Sequence, residues 1–149
     1  AGVGTKAEFN SPASIAVQPA PGEHILVSDT KNNVIRSISR HSGRVSLFAG
    51  GQQGFKDGFG ELAQFHKPTG LVIDVNGEVA YIADTGNRCV RAIIMKNREV
   101  YTVVNDHNAG DNERLPEDEF VVGPEGLALS PDGSYLLIAD SWSHRILKL

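Results

Sequence analysis

A phrase that recurs at nearly constant spacing limits what this chain can fold into more than any other feature. "VSDTKNNVIRSI" begins at residue 27, "IADTGNRCVRAI" at residue 82 and "IADSWSHRILKL" at residue 138. The aspartates Asp29, Asp84 and Asp140 fall at intervals of 55 and 56, and Pro12, Pro68 and Pro124 at intervals of 56. The stretch before each proline repeats too, as "GVGTKAEFNSP" and "GFGELAQFHKP". The third copy, "LPEDEFVVGP", keeps the proline but loses the Gly-x-Gly and the small residue. A fixed period of this length describes supersecondary units that bury their faces against one another, none of them stable alone.

Within each unit the apolar residues come in runs too short for helices, which need ten or more residues of 3.6 periodicity, and the runs are separated by turn chemistry. The second copy reads as four strands, "GLVIDV", "VAYIAD", "CVRAIIM" and "EVYTVV". Their breaks fall at Asn76-Gly77, Thr85-Gly86-Asn87 and Lys96-Asn97-Arg98. Asn-Gly between apolar runs is the strongest short hairpin signal. The first copy gives "SIAVQ", "HILVSD", "VIRSIS" and "RVSLFA". The third gives "GLALS", a Pro131-Asp132-Gly133 turn, "YLLIAD" and "RILKL", three strands instead of four. The reading is an all-β chain of four-stranded antiparallel propeller blades at about 12–50, 68–105 and 124–149, two complete and one of three strands.

Taken together, Gly-x-Gly, a small residue and Phe before Pro, an apolar strand, then Ala-Asp-Thr/Ser, Asn or His, Arg and Ile resemble the NHL repeat across essentially the whole chain. The resemblance implies a β-propeller, commonly six-bladed, used chiefly as a protein-interaction scaffold. The third copy departs from it. Ser143 stands where the others have Asn32 and Asn87, and Arg145 comes two positions earlier than Arg36 and Arg91. "PEGLALSPDGSYLLIADSWSHRILKL" is also similar to strictosidine-synthase-like and gluconolactonase-like propellers, which implies an alternative: part of a propeller hydrolase or synthase. In the lactonase-like relatives the residue between Pro and Gly of an innermost strand can bind metal. The matching positions are Ala13, Thr69 and Glu125, and one carboxylate is too few for a hard cation. No metal or cofactor is expected.

Composition narrows the class further. Apolar residues make up 40%, no run approaches the roughly 18 to 20 apolar residues of a membrane span, and 18 acids against 14 bases leave a net charge of −4 without a basic stripe. A soluble protein that binds neither membrane nor nucleic acid is expected. One cysteine, Cys89, and no allowed Asn-x-Ser/Thr acceptor lean towards an intracellular chain. There is no nucleophile elbow, His-Glu-x-x-His, paired cysteine or phosphate loop. Catalysis by these residues alone is not expected, and a protein partner is.

In an antiparallel meander the three aspartates all end second strands, so they belong to one face. An Asp there accepts hydrogen bonds from the amides of the turn that follows, with Asn32 and Asn87 helping to close it. Asp29, Asp84 and Asp140 are accordingly structural turn residues, since a turn recurs in every blade and a binding residue has no reason to. Binding information belongs where the copies differ. Trp142 replaces Lys31 and Gly86, and aromatic residues in exposed loops make good anchors. With His144 beside it, Asp140 at the strand end and Glu125 on the neighbouring strand, it forms the candidate contact set. That face also carries the linkers 50–68 and 105–124, including the acidic "DNERLPEDE" at 111–119. An open arc of three blades leaves apolar faces to be covered, by further blades of a longer parent or by a second copy. The missing fourth strand favours the parent.

Overall fold

The computed structural model describes residues 2–3, 7–105 and 121–149; the acidic segment at 111–119 lies outside them. Three antiparallel sheets follow one another along the chain. The first blade contains β2 (Pro12–Val17), β3 (His24–Asp29), β4 (Val34–Ser39) and β5 (Arg44–Ala49), hydrogen-bonded in sequence order. The second contains β7 (Pro68–Ile73), β8 (Val79–Asp84), β9 (Cys89–Ile94) and β10 (Glu99–Asn105). The third has β11 (Pro124–Leu129), β12 (Leu136–Asp140) and β13 (Arg145–Lys148). This is the meander of a β-propeller.

The glycine pairs ahead of the blades do more than link. Gly2–Val3 (β1) and Gly58–Phe59 (β6) are two-residue strands that pair with β5 and β10, so the first two sheets have five strands each. Gly58 has φ +157 and Gly60 φ +52, and the latter opens a single 3-10 turn, Gly60–Leu62, on which the chain doubles back. Glycine adopts that left-handed conformation without a Cβ penalty.

The core lies between the blades. Leu26, Ile35, Phe48 and Ala49 of the first blade meet Leu71, Ala80, Ile82, Ile93, Met95 and Val100 of the second, with Phe65 and Ala63 of the lead-in closing one end. At the next seam Val90 and Val104 meet Val121, Leu136 and Ile138, flanked by Val72, Tyr81, Leu127 and Leu147. Strand alternation explains the division: Leu71 and Ile82 point back to the first blade, while their neighbours Val72 and Tyr81 point forward to the third. The strands β7, β8 and β9 therefore carry apolar residues on both faces, as their near-continuous apolar runs require.

Hairpin turns close the opposite ends of the strands. Asp74 Oδ1 accepts the N–H groups of Glu78 at 2.7 Å and Val79 at 3.1 Å around Gly77, whose φ is +72. Asp132 Oδ1 accepts the Ser134 N–H and hydroxyl at 3.1 and 2.8 Å; the Ser130 hydroxyl first, and then these Ser134 groups, hold its carboxyl down at about 2.

Candidate functional site

The recurring motif forms the same piece of architecture three times. Pro12, Pro68 and Pro124 start the innermost strands directly opposite Asp29, Asp84 and Asp140, which end the second strands. A single 3-10 turn follows each aspartate: Thr30–Asn32, Thr85–Asn87 and Ser141–Ser143. All three turns close on themselves through the backbone, Asn33 N–H to Thr30 O, Arg88 N–H to Thr85 O and His144 N–H to Ser141 O. Contrary to what the sequence suggested, the aspartates accept no backbone N–H of the turn that follows, and meet that turn only through the Asn32 and Asn87 side chains. They reach back across the strand pair to the lead-in before the proline. Asp29 Oδ1 accepts the Asn10 N–H at 2.7 Å, Asp84 Oδ1 the His66 N–H at 2.8 Å, and Asp140 Oδ1 the N–H groups of Val122 and Gly123 at 3.2 and 2.6 Å. In return Lys31 N–H bonds Asn10 O, Gly86 N–H bonds His66 O and Ser141 N–H bonds Gly123 O. The motif is a buckle fastening each innermost strand to its own blade.

The second carboxylate oxygen is closed from the other side. Asn32 Nδ2 donates to Asp29 Oδ2 at 2.9 Å and Asn87 Nδ2 to Asp84 Oδ2 at 2.7 Å. In the third copy, where serine replaces that asparagine, Arg145 Nε donates to Asp140 Oδ2 at 3.0 Å. The displaced arginine thus substitutes for the lost amide. The following Thr stitches blade to blade: Thr30 Oγ1 donates to Pro68 O at 2.7 Å and Thr85 Oγ1 to Pro124 O at 2.6 Å. Ser141 Oγ instead bonds Gly123 O of its own blade at 3.2 Å.

All three aspartates are fully buried. Asp140 is therefore withdrawn from the contact set: its oxygens are committed to Val122, Gly123 and Arg145, and none faces solvent. Burial pushes the Asp84 carboxyl above the ordinary aspartate value, while the Asn87 amide, the His66 N–H and the Arg91 guanidinium pull it back. Arg91 is itself fully buried, and in the sequence it stood out only as the arginine of the repeat. Its Nη1 meets Asp84 Oδ2 at 3.0 Å and Gln64 O at 3.1 Å, and its Nη2 meets Asp57 Oδ1 at 2.7 Å and Lys56 O at 2.9 Å. Its guanidinium carbon lies 5.2 Å from the ring centres of both Phe55 and Phe65.

The other three candidates are exposed. Trp142 is 52% exposed, His144 sits in the left-handed region at φ +53, and Glu125 presents its side chain while its carbonyl accepts the Thr69 hydroxyl at 3.1 Å. Ring and glycine trade places between two buckles. In the second, His66 of the lead-in covers Gly86 of the turn, where a Cβ would come within 2.5 Å of the His66 ring and carbonyl. In the third, Trp142 of the turn covers Gly123 of the lead-in, where a Cβ would come within 2.2 Å of Trp142 Cγ. Sequence reading found the tryptophan but not its bed, because Gly123 belongs to the divergent linker. Among the described residues no group of three or more His, Cys, Asp or Glu side chains is placed to hold a metal ion, and no helix is long and apolar enough to cross a membrane.

No family model matches the chain. It is 25% identical to human NHL repeat-containing protein 2 over 95% of its own length, and it spans about a fifth (21%) of that relative. Among solved structures, an auxiliary nutrient binding protein from Bacteroides thetaiotaomicron superposes on 90% of the chain with a TM-score of 0.73 at 19% identity, the chain covering 36% of it. A streptogramin B lyase superposes on 97% with a TM-score of 0.62 at 18% identity, the chain covering 39% of it.

Proposed function

We propose that this NHL-repeat β-propeller segment is a protein-interaction scaffold whose contact surface is the face of the 3-10 turns, centred on Trp142. The fold leaves the matter open, since one structural neighbour is named as a binding protein and another as a lyase. The observation that carries the reading is the state of the tryptophan: the only one in the chain, half exposed, in the turn that departs most from the repeat. A large, rigid, half-exposed ring two residues from the exposed His144 has the composition of a contact hot spot.

The test is site-specific photo-crosslinking. A crosslinker placed at residue 142 is compared with one at Val75, an exposed residue beside the hairpin turn at the far ends of the strands. Capture of a defined protein at 142 and not at 75, followed by a loss of at least about 2 kcal/mol in its affinity for Trp142→Ala, is the expected result. Unchanged affinity at unchanged melting temperature sinks the assignment.

A further inference from the structure

One side of the first blade is open, and the seam between the first and second blades shows what that side is built to receive. On the second blade Leu71 is buried, and Ile73 packs against the cluster that holds Leu26, Ile35 and Phe48 of the first. The residues 56 positions earlier, Ile15 and Val17, are 63% and 55% exposed, and Pro12 is exposed where Pro68 and Pro124 are buried. Phe9, Pro12, Ile15, Val27 and Ile38 line a groove of about 350 Å³ there.

Two polar groups on this side lack the partners that their counterparts have. Pro68 O accepts the Thr30 hydroxyl at 2.7 Å and Pro124 O the Thr85 hydroxyl at 2.6 Å, each from the turn of the blade before. Among the described residues Pro12 O receives no such hydroxyl. Lys67, at φ +53, gives its N–H to Asn33 Oδ1 of the blade before at 2.8 Å. Ser11 holds the same conformation at φ +54, and among the described residues its N–H meets no side-chain acceptor, Asp29 Oδ1 accepting the Asn10 N–H instead.

We infer that this side of the first blade is a docking surface for one further blade of the same repeat, one whose turn reads Asp-Thr-x-x-Asn as residues 29–33 do. Its threonine donates to Pro12 O, its asparagine accepts the Ser11 N–H, and apolar residues in the places of Leu26, Ile35 and Phe48 cover Ile15 and Val17. The existing seam, moved back by one period, is the pattern for the new one. A second copy of this chain joined through its third blade does not match. The Ser141 hydroxyl there is committed to Gly123 O at 3.2 Å, and His144 stands in the place of Asn33. Among the described residues that blade also has no counterpart of β5, the strand that carries Phe48. A relative of which the chain spans about a fifth (21%) has room for the matching blade on the same polypeptide. The inference does not rest on the role proposed for the turn face.

The test adds the blade. A copy of residues 1–56 joined ahead of residue 1 keeps the interval of 56 between prolines and brings a Thr-Lys-Asn-Asn turn. Val17→Cys supplies the reporter, since Cys89 is buried. Alkylation of the new thiol and exchange of the Ser11 amide should both be slower in the extended chain than in the 149-residue chain by at least about tenfold. Asn33→Ala in the added copy alone should speed Ser11 exchange about fivefold, the factor for one hydrogen bond, and leave the thiol protected. A thiol and an amide as open in the extended chain as in the shorter one would overturn the assignment. So would an added copy that stays unfolded, because a blade that fits this side folds on it. Ser11 protection that survives Asn33→Ala would overturn the match of the turn. Thiol protection that grows with concentration in the 149-residue chain, with a dimer by light scattering, would make a second copy the occupant and overturn the assignment as well.

Discussion

The second and third blades carry the same motif and fasten it with unequal strength. In the second, Arg91 is sealed from solvent, shared between Asp84 and Asp57, bonded to two carbonyls and flanked by two phenylalanine rings. In the third, Arg145 is a quarter exposed and makes a 3.0 Å bond to Asp140. The first blade differs again, with Arg36 3.9 Å from Asp29 and 5.9 Å from the Phe9 ring. The cause is the lead-in. Residues 53–65 fold over Arg91, held by the bridges Gln53↔Phe65 and Lys56↔Gln64, and supply Lys56 O, Asp57 and Gln64 O. Under residues 53–65 the motif becomes a fully buried charge cluster, whereas Arg36 and Arg145 stay 15% and 25% exposed beside their buried aspartates. The repeat sets who the partners are, and the covering loop sets what the partnership is worth.

The largest expected effect breaks this contrast directly. Asp84→Ala should cost about 3 to 5 kcal/mol, because it leaves a fully buried guanidinium short of a partner, whereas Asp140→Ala, which leaves a quarter-exposed Arg145 that water reaches, should cost about 1 to 3 kcal/mol; urea denaturation of both variants checks the ratio. Equal losses would mean that the covering loop adds nothing.

Next comes the stitch between blades. Thr85→Val leaves Pro124 O without its buried donor and should cost about 1 to 3 kcal/mol, while Ser141→Ala, whose bond stays within one blade, should cost about 1 kcal/mol or less. Hydrogen exchange should show faster opening of the third blade in the threonine variant alone.

Gly86→Ala tests the exchange of ring and glycine. The new Cβ meets the His66 ring and carbonyl, so a loss of about 1 to 3 kcal/mol is expected, and Lys31→Ala at the same position of the first blade should be nearly neutral. Thermal unfolding of the two is sufficient.

The smallest effect is in pH. Asp132, held down at about 2, should contribute stability above the ordinary aspartate value and lose it as pH falls towards 2. Asp84 is raised by burial, so its term has the opposite sign, present below the ordinary value and lost as pH rises through the folded one. Side-chain NMR titration of both carboxyls would separate them. A depressed Asp84 would show that Arg91 and the two N–H donors outweigh burial.

Much of this was legible in the chain. Turn residues such as Asn76-Gly77 and Pro131-Asp132-Gly133 act locally, so they marked strand ends without knowledge of the fold. The period did the rest, since units that share a pattern share a structure. What escaped was non-local. Asp29, Asp84 and Asp140 were correctly placed at strand ends, but their donors lie 17 to 19 residues upstream, beyond the reach of turn rules. Arg91 looked like any repeated arginine, because nothing in its own strand announces that Asp57 and Phe55 fold over it. Trp142 was singled out as a departure from the repeat, and the residue it rests on went unnoticed.

By itself, then, the sequence determined the meander strands of each blade and their order, though not the added β1 and β6, because hairpins and period-2 patterning are short-range physics. Tertiary structure alone decided which polar groups lost their water. The motif's arginine is sealed in the second blade and partly wetted in the others because desolvation depends on what the rest of the chain lays over it, and that is a property of no single segment.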